Sequence, residues 1–152
     1  MLVKEIMRSP VVTIRPDATL RQAAELMLEH NINGLPVVDD ARRVIGIIGL
    51  KDILRAPMPS IAHATVSRLA TEGDVAKRLD TTLVERVMAT TVFSVKEDDP
   101  LMTAVAIMVN QGLHPVPVLR GQQLVGVVSR ADAVRAILNH QVALGGASVK
   151  DV

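Results

Sequence analysis

Apolar residues fall at two different spacings along this chain, and the spacing divides it into elements. Between Thr19 and His30 they sit at Leu20, Ala23, Ala24, Met27 and Leu28, the one-sided stripe that predicts an amphipathic helix. Leu101, Ala104, Val105, Met108 and Val109 repeat the stripe, with Asp99 at the expected N-cap and Pro100 at the first helical position. Ahead of each helix stands a short β-branched run, "VVTI" and "VFSV", which predicts a strand. Behind each helix two apolar runs flank a polar turn, "LPVV" and "VIGII" around Asp39 to Arg43, then "VPVL" and "LVGVV" around Arg120 to Gln123. Both read as hairpins, each followed by a short last helix beginning near Lys51 and Ala131.

The two sets of elements are copies. Shifting the chain on itself by 81 positions (88 − 7) pairs Met7 with Met88, Asp17 with Asp98, Leu20 with Leu101, Ala23 with Ala104, Met27 with Met108 and Pro36 with Pro117. After one deletion near residue 42 the shift is 80 (126 − 46), pairing Gly46 with Gly126, Asp52 with Asp132 and Arg55 with Arg135. The expected organisation is a first repeat at 1–56, a helical connector at 57–82, a second repeat at 83–140 and a flexible tail at 141–152. In the connector, Ile61, Ala64, Thr65 and Leu69 have helical spacing, Gly73 reads as a break, and Thr82 with Glu85 reads as a capping box. The order strand, helix, strand, strand, helix in each copy gives an α+β class, one helical layer on a small sheet. A unit of this size is marginal alone, so the copies are expected to pack face to face.

Composition narrows the function. Apolar residues make up 49% of the 152, and the net charge of +1 is too balanced for a chain held to nucleic acid or a membrane by bulk charge. Phe93 is the only aromatic among Phe, Trp and Tyr, so base stacking on rings is not available. The chain has no cysteine, and His30, His63, His114 and His140 lack ligand spacing, so no metal site is expected. No apolar stretch is long enough to span a bilayer and no signal-peptide pattern opens the chain, which points to a soluble cytoplasmic protein. Met27, Met88, Met102 and Met108 fall on or near the helix stripes and read as core. Asp39, Asp40, Asp98 and Asp99 lie at turns, where aspartate bonds locally to backbone. With no triad, Walker loop or metal cluster, the chain is not expected to be an enzyme.

The duplicated pattern "VKEIM…VVTIRPDATL…AAELM…NINGLPVVDD…VIGIIGLKDIL" and "VERVM…VFSVKEDDPL…AVAIM…GLHPVPVL…LVGVVSRADAV" resembles the CBS domain pair, named after cystathionine β-synthase and also called a Bateman module. The resemblance spans roughly 110 residues and rests on ordered elements in duplicate. It implies two repeats about a pseudo-two-fold axis with two ligand clefts, and a regulatory role without catalysis. Family ligands include AMP, ADP, ATP, S-adenosylmethionine and NAD-type molecules. Carried onto this chain, the first cleft combines Ala18, Ala23, Ile32, Asn33 and Gly34 with Val127, Ser129, Arg130 and Asp132. The second, weaker cleft combines Asp99, Ala104, Leu113, His114 and Pro115 with Ile47, Gly49 and Asp52. A homodimer and a regulated partner protein are also implied.

Chemically, an ionised Asp132 suits a ribose 2′,3′-diol, while Ser129, Arg130 and the start of the following helix suit a phosphate. Ser129 and Asp132 also have the spacing of a capping box, and one arrangement can serve both purposes. In the second cleft Gly49 lacks the hydroxyl and Pro115 lacks an N–H donor. The expected function is therefore an adenine-nucleotide sensor with unequal clefts, the alternative being a structural dimerisation or docking module without a functional ligand.

Overall fold

A computed structural model describes residues 1–56 and 71–145, with side chains up to His140. The chain forms two compact units, one of Val12–Val92 and the other of Met1–Val11 with Phe93–Val152. These are called the N-terminal and C-terminal units below. Repeat and unit are thus different divisions of the chain: the leading segment of each repeat packs into the unit that holds the other repeat's hairpin.

The N-terminal unit contains α1 (Leu20–Glu29), β1 (Gly34–Val38), β2 (Val44–Gly49), α2 (Leu50–Arg55), α3 (Glu72–Thr81) and a 3-10 turn at Val84–Arg86. Helix α1 starts where Thr19 and Gln22 cap each other: the Gln22 N–H donates to Thr19 Oγ1 at 3.2 Å, and the Thr19 N–H donates to Gln22 Oε1 at 2.9 Å. It ends where Asn31 turns to a left-handed φ of 52°. Strands β1 and β2 form an antiparallel pair from Gly34 opposite Gly49 to Val38 opposite Val44, with an irregularity at Val37/Val38. The core is Leu20, Ala23 and Met27 of α1 against Leu35, Val37 and Ile48 of the hairpin, closed by Ile14, Ile53 and Val84.

The C-terminal unit contains a 3-10 turn at Val3–Glu5, β3 (Val95–Lys96), α4 (Leu101–Gln111), β4 (Val116–Arg120), β5 (Gln123–Val128) and α5 (Arg130–Gly145). Gly112, aligned with Asn31 in the repeat, ends α4 at a φ of 62°. The sheet order is β3-β4-β5, with β3 parallel to β4 and β4 antiparallel to β5. Its irregularity at Val118/Leu119 is the repeat equivalent of Val37/Val38. Val3, Leu101, Ala104, Met108, Val116, Val118 and Val128 build this core, with Ala133 and Ala136 of α5.

A repeated glycine and methionine explain how the leading segments dock. A Cβ on Gly46 would lie 2.5 Å from Met88 Sδ, and one on Gly126 would lie 2.5 Å from Met7 Sδ. Each glycine leaves a notch in its strand, and the methionine of the leading segment fills it.

Several expectations are corrected. "VVTI" does not form a strand: only Ile14 bridges, in parallel, to Val37. The ladder would next need an N–H from residue 16, and Pro16 has none. Its counterpart "VFSV" contributes only Val95 to β3. Leu28 and Val109, at the edge of each stripe, are 73% and 76% exposed, and Met102 is 59% exposed rather than core. Pro100 is the N-cap of α4, while Asp99 accepts the Lys96 N–H at 2.8 Å. Gly73 does not break the connector but lies in the first turn of α3, which is capped by Thr71 with Asp74. Thr82 closes that helix and forms no box with Glu85. Ile61, Ala64, Thr65 and Leu69 lie outside the described residues. The last helix of the second repeat is not short: α5 has 16 residues and takes the first five positions of the expected tail, the rest of which is also outside the described residues.

Candidate functional site

Both candidate sites lie where the second hairpin strand turns into a helix, because the backbone there leaves its extended conformation and the first helical N–H groups need acceptors. In the C-terminal unit the acceptors are Ser129 and Asp132. The Asp132 N–H donates to Ser129 Oγ at 3.1 Å, and the Ser129 N–H donates to Asp132 Oδ2 at 3.2 Å, a reciprocal cap on α5. The capping reading of this pair therefore holds.

The other carboxylate oxygen has a second task. Arg8 Nε donates to Asp132 Oδ1 at 2.8 Å, and Arg135 Nη1 donates to the same oxygen at 3.2 Å. Asp132 is 6% exposed and is the only buried charged residue among those described. Burial alone would raise its pKa, but the bonds from Ser129 and Arg8 outweigh it and hold the carboxyl below its ordinary range. The site is a buried, ionised carboxylate with two guanidinium groups on it, and Arg130 stands exposed at the start of the helix.

Arg8 is placed by its backbone. Its N–H donates to the Val127 carbonyl at 2.9 Å and its carbonyl accepts the Val127 N–H at 3.1 Å. The N-terminal unit has the same bridge with a different side chain: the Ala89 N–H donates to the Ile47 carbonyl at 2.8 Å and the Ile47 N–H to the Ala89 carbonyl at 3.0 Å. There Asp52 Oδ2 accepts the Gly49 N–H at 2.8 Å, which is half of the capping box. Gly49 has φ −123°, which any residue can adopt, but a Cβ would lie 3.2 Å from the Asn33 carbonyl oxygen. That oxygen already accepts the Leu50 N–H at 3.1 Å, so the site is tight rather than strained.

The predicted residues fall in five places. Val127, Ser129, Arg130 and Asp132 cluster at one junction, and Gly49 and Asp52 at the other. Asn33 and Gly34 join the second group, since Gly34 pairs with Gly49 and Asn33 accepts from Leu50. Ala18, Ile32, Leu113, His114 and Pro115 are partly buried. Ala23 and Ala104, fully buried, belong to the two cores, and Ile47 is 4% exposed in β2. Asp99 is engaged in its local turn. Arg8 and Arg135 were not among the predicted residues. The repeat alignment held the signal for both, as Arg135 pairs with Arg55 and Arg8 pairs with Ala89.

No helix among the described residues is long and apolar enough to cross a membrane, and none of their His, Asp or Glu side chains form a group of three that could hold a metal.

Comparison with known proteins gives the same pattern. The family model described as the CBS domain matches residues 3–59 and again 84–139. An uncharacterised 17.7 kDa protein of Acidianus ambivalens is 33% identical over 138 residues, covering 90% of this chain and 73% of its own. An L-aspartate semialdehyde sulfurtransferase of Methanocaldococcus jannaschii is 28% identical over 137 residues, 88% of this chain, which spans only 23% of that enzyme. Among solved structures, the CBS domain pair of protein MJ0100 in complex with 5-methylthioadenosine and S-adenosyl-L-methionine superposes with a TM-score of 0.72 at 27% identity, covering 92% of this chain and 98% of that one.

Proposed function

Because this chain belongs to the CBS domain family, we propose that it is a regulatory module that binds an adenosyl ligand, an adenine nucleotide in the first instance, and reports occupancy through altered packing or dimer state. The single observation that carries the reading is Asp132, a buried and ionised carboxylate at a strand-to-helix junction. A carboxylate with two oxygens is the natural acceptor for a vicinal ribose diol, and the cations Arg8, Arg130 and Arg135 suit an anionic group on the same ligand. The MJ0100 pair, of the same fold, was solved with two adenosyl compounds, which supports the ligand class. No residue in this reading performs covalent chemistry. Ligand acts by favouring one arrangement of the protein, and the shift is bounded by its differential affinity for the arrangements.

The dimer is part of the same proposal. Leu28 and Leu54 in one unit, and Val109 and Val134 in the other, are repeat-equivalent apolar residues that are all more than half exposed. The same chemistry recurs at the same helix positions, which fits a surface covered by a second copy of this chain.

A structural module without a functional ligand is the second reading. It is favoured by the protein partners that already occupy both oxygens of Asp132. A melting panel with AMP, ADP, ATP, S-adenosylmethionine and NADH decides between them. A ligand at about 100 times its Kd adds ~2.7 kcal/mol, so the sensor reading expects a clear rise in Tm with at least one compound. No rise at millimolar concentration leaves the structural reading. With no Trp or Tyr, the protein also absorbs little near 280 nm, so a co-purified purine stands out at 260 nm.

A further inference from the structure

Resting on the adenosyl reading above, we propose that Arg8 makes the Asp132 site select a ligand with an anionic end, by moving its guanidinium from Asp132 to that end when the ribose takes the carboxylate.

Acceptor capacity at Asp132 is limited. A carboxylate offers about four lone-pair sites, and Asp132 already receives the Ser129 N–H on Oδ2 and two arginines on Oδ1. A vicinal diol brings two O–H donors, so a resident donor must leave. The Ser129 N–H is fixed by the backbone, and Arg135 lies one turn along α5 from Asp132. The two arginine side chains are similarly exposed, 63% for Arg8 and 60% for Arg135, and Arg8, whose backbone is clamped to Val127 on both sides, is the partner assigned to move. It can swing without unfolding anything.

Charge then sets the preference. Two guanidinium groups on one carboxylate leave an excess positive charge, and a displaced Arg8 carries five N–H donors in a fixed fork. A phosphate accepts that fork and offsets the charge. A neutral or cationic end, such as a thioether or sulfonium, does neither, so its ribose must displace Arg8 with no return.

The other unit supplies an internal control. Ala89 holds the bridge position of Arg8, and among the described residues Asp52 receives only the Gly49 N–H. Among the described residues no donor there has to be displaced, and Ala89 cannot reach out to an anion.

The experiment is calorimetry of the full chain with AMP and with 5′-methylthioadenosine, which share adenosine and differ in the charge at the 5′ end. The wild type is expected to prefer AMP. R8A should weaken AMP by about tenfold, the scale of one charge-assisted contact, while methylthioadenosine changes by less than about threefold or tightens. R8K, which keeps the charge without the fork, should fall between R8A and wild type for AMP. D132N should weaken both ligands alike. If R8A shifts both ligands by the same factor, or leaves AMP unchanged, Arg8 is not the selector and the adenosyl reading stands without it. If the wild type binds neither compound the inference fails, and if no compound of the melting panel raises Tm either, the adenosyl reading fails with it. Melting of R8A alone checks that the variant is folded.

Discussion

Arg8 and Asp132 are 124 positions apart in sequence and 2.8 Å apart in space, an ion pair that ties the leading segment of the chain to the first turn of its last helix. The corresponding place in the other unit holds Ala89, so Asp52 caps α2 without such a tie. Hydrogen bonds to charged groups contribute about 1.5–3 kcal/mol each when desolvated, and less when one partner is exposed. D132N should therefore lower the unfolding free energy by about 1–2 kcal/mol, and D52N by under about 1 kcal/mol. Urea melts of the two variants check the order.

The same carboxylate sets an acid limit. Its pKa is lowered in the folded state, so its contribution is present at neutral pH and is lost as pH falls from the ordinary carboxylate range, about 3.9, through the folded value. Asp39, with its backbone bonds from Arg43 and Ala41, shifts the same way and adds to the trend. Tm should decline below about pH 4, and D132N should flatten that decline. A D132N profile parallel to wild type would show that Asp132 does not contribute to the limit.

The methionine notches predict a specific coupling. G46A places a methyl against Met88 and 3.0 Å from the Ala89 carbonyl oxygen, and overpacking of this kind costs about 1–3 kcal/mol. Shortening the methionine relieves part of the clash, so G46A/M88A should be less destabilised than the sum of the single variants. A double-mutant cycle measures the coupling, and strict additivity would contradict the packing described.

Assembly can be tested on the exposed helix positions. V109E and L28E put charges on apolar surface that is 76% and 73% exposed, so neither should unfold the chain. If a second copy covers that surface, sedimentation should show the variants shifted toward monomer. Unchanged sedimentation would remove these residues from the dimer surface.

Much of this was legible in the chain. The stripes gave α1 and α4, the turn chemistry of Asp39 to Arg43 gave the first hairpin, and self-alignment gave the duplication. What the pattern missed has physical causes. A β-branched run reads as a strand, but Pro16 withholds the N–H that would continue the ladder beyond Ile14. A stripe marks a helix face without its width, so Leu28 and Val109 read as inward-facing but are exposed. Above all, local periodicity says nothing about which distant segment joins which sheet, and the Arg8 bridge to Val127 is such a contact. The pairing of Met7 with Met88 and of Gly46 with Gly126 was visible as coincidence, and only the notches give it a reason.

The most direct test of the account is calorimetric titration of AMP into wild type, D132N and D52N. The account predicts measurable binding to wild type and a larger loss in D132N than in D52N, because Asp132 is the buried carboxylate with cations beside it. Binding that survives D132N unchanged, or that falls further in D52N, would contradict it.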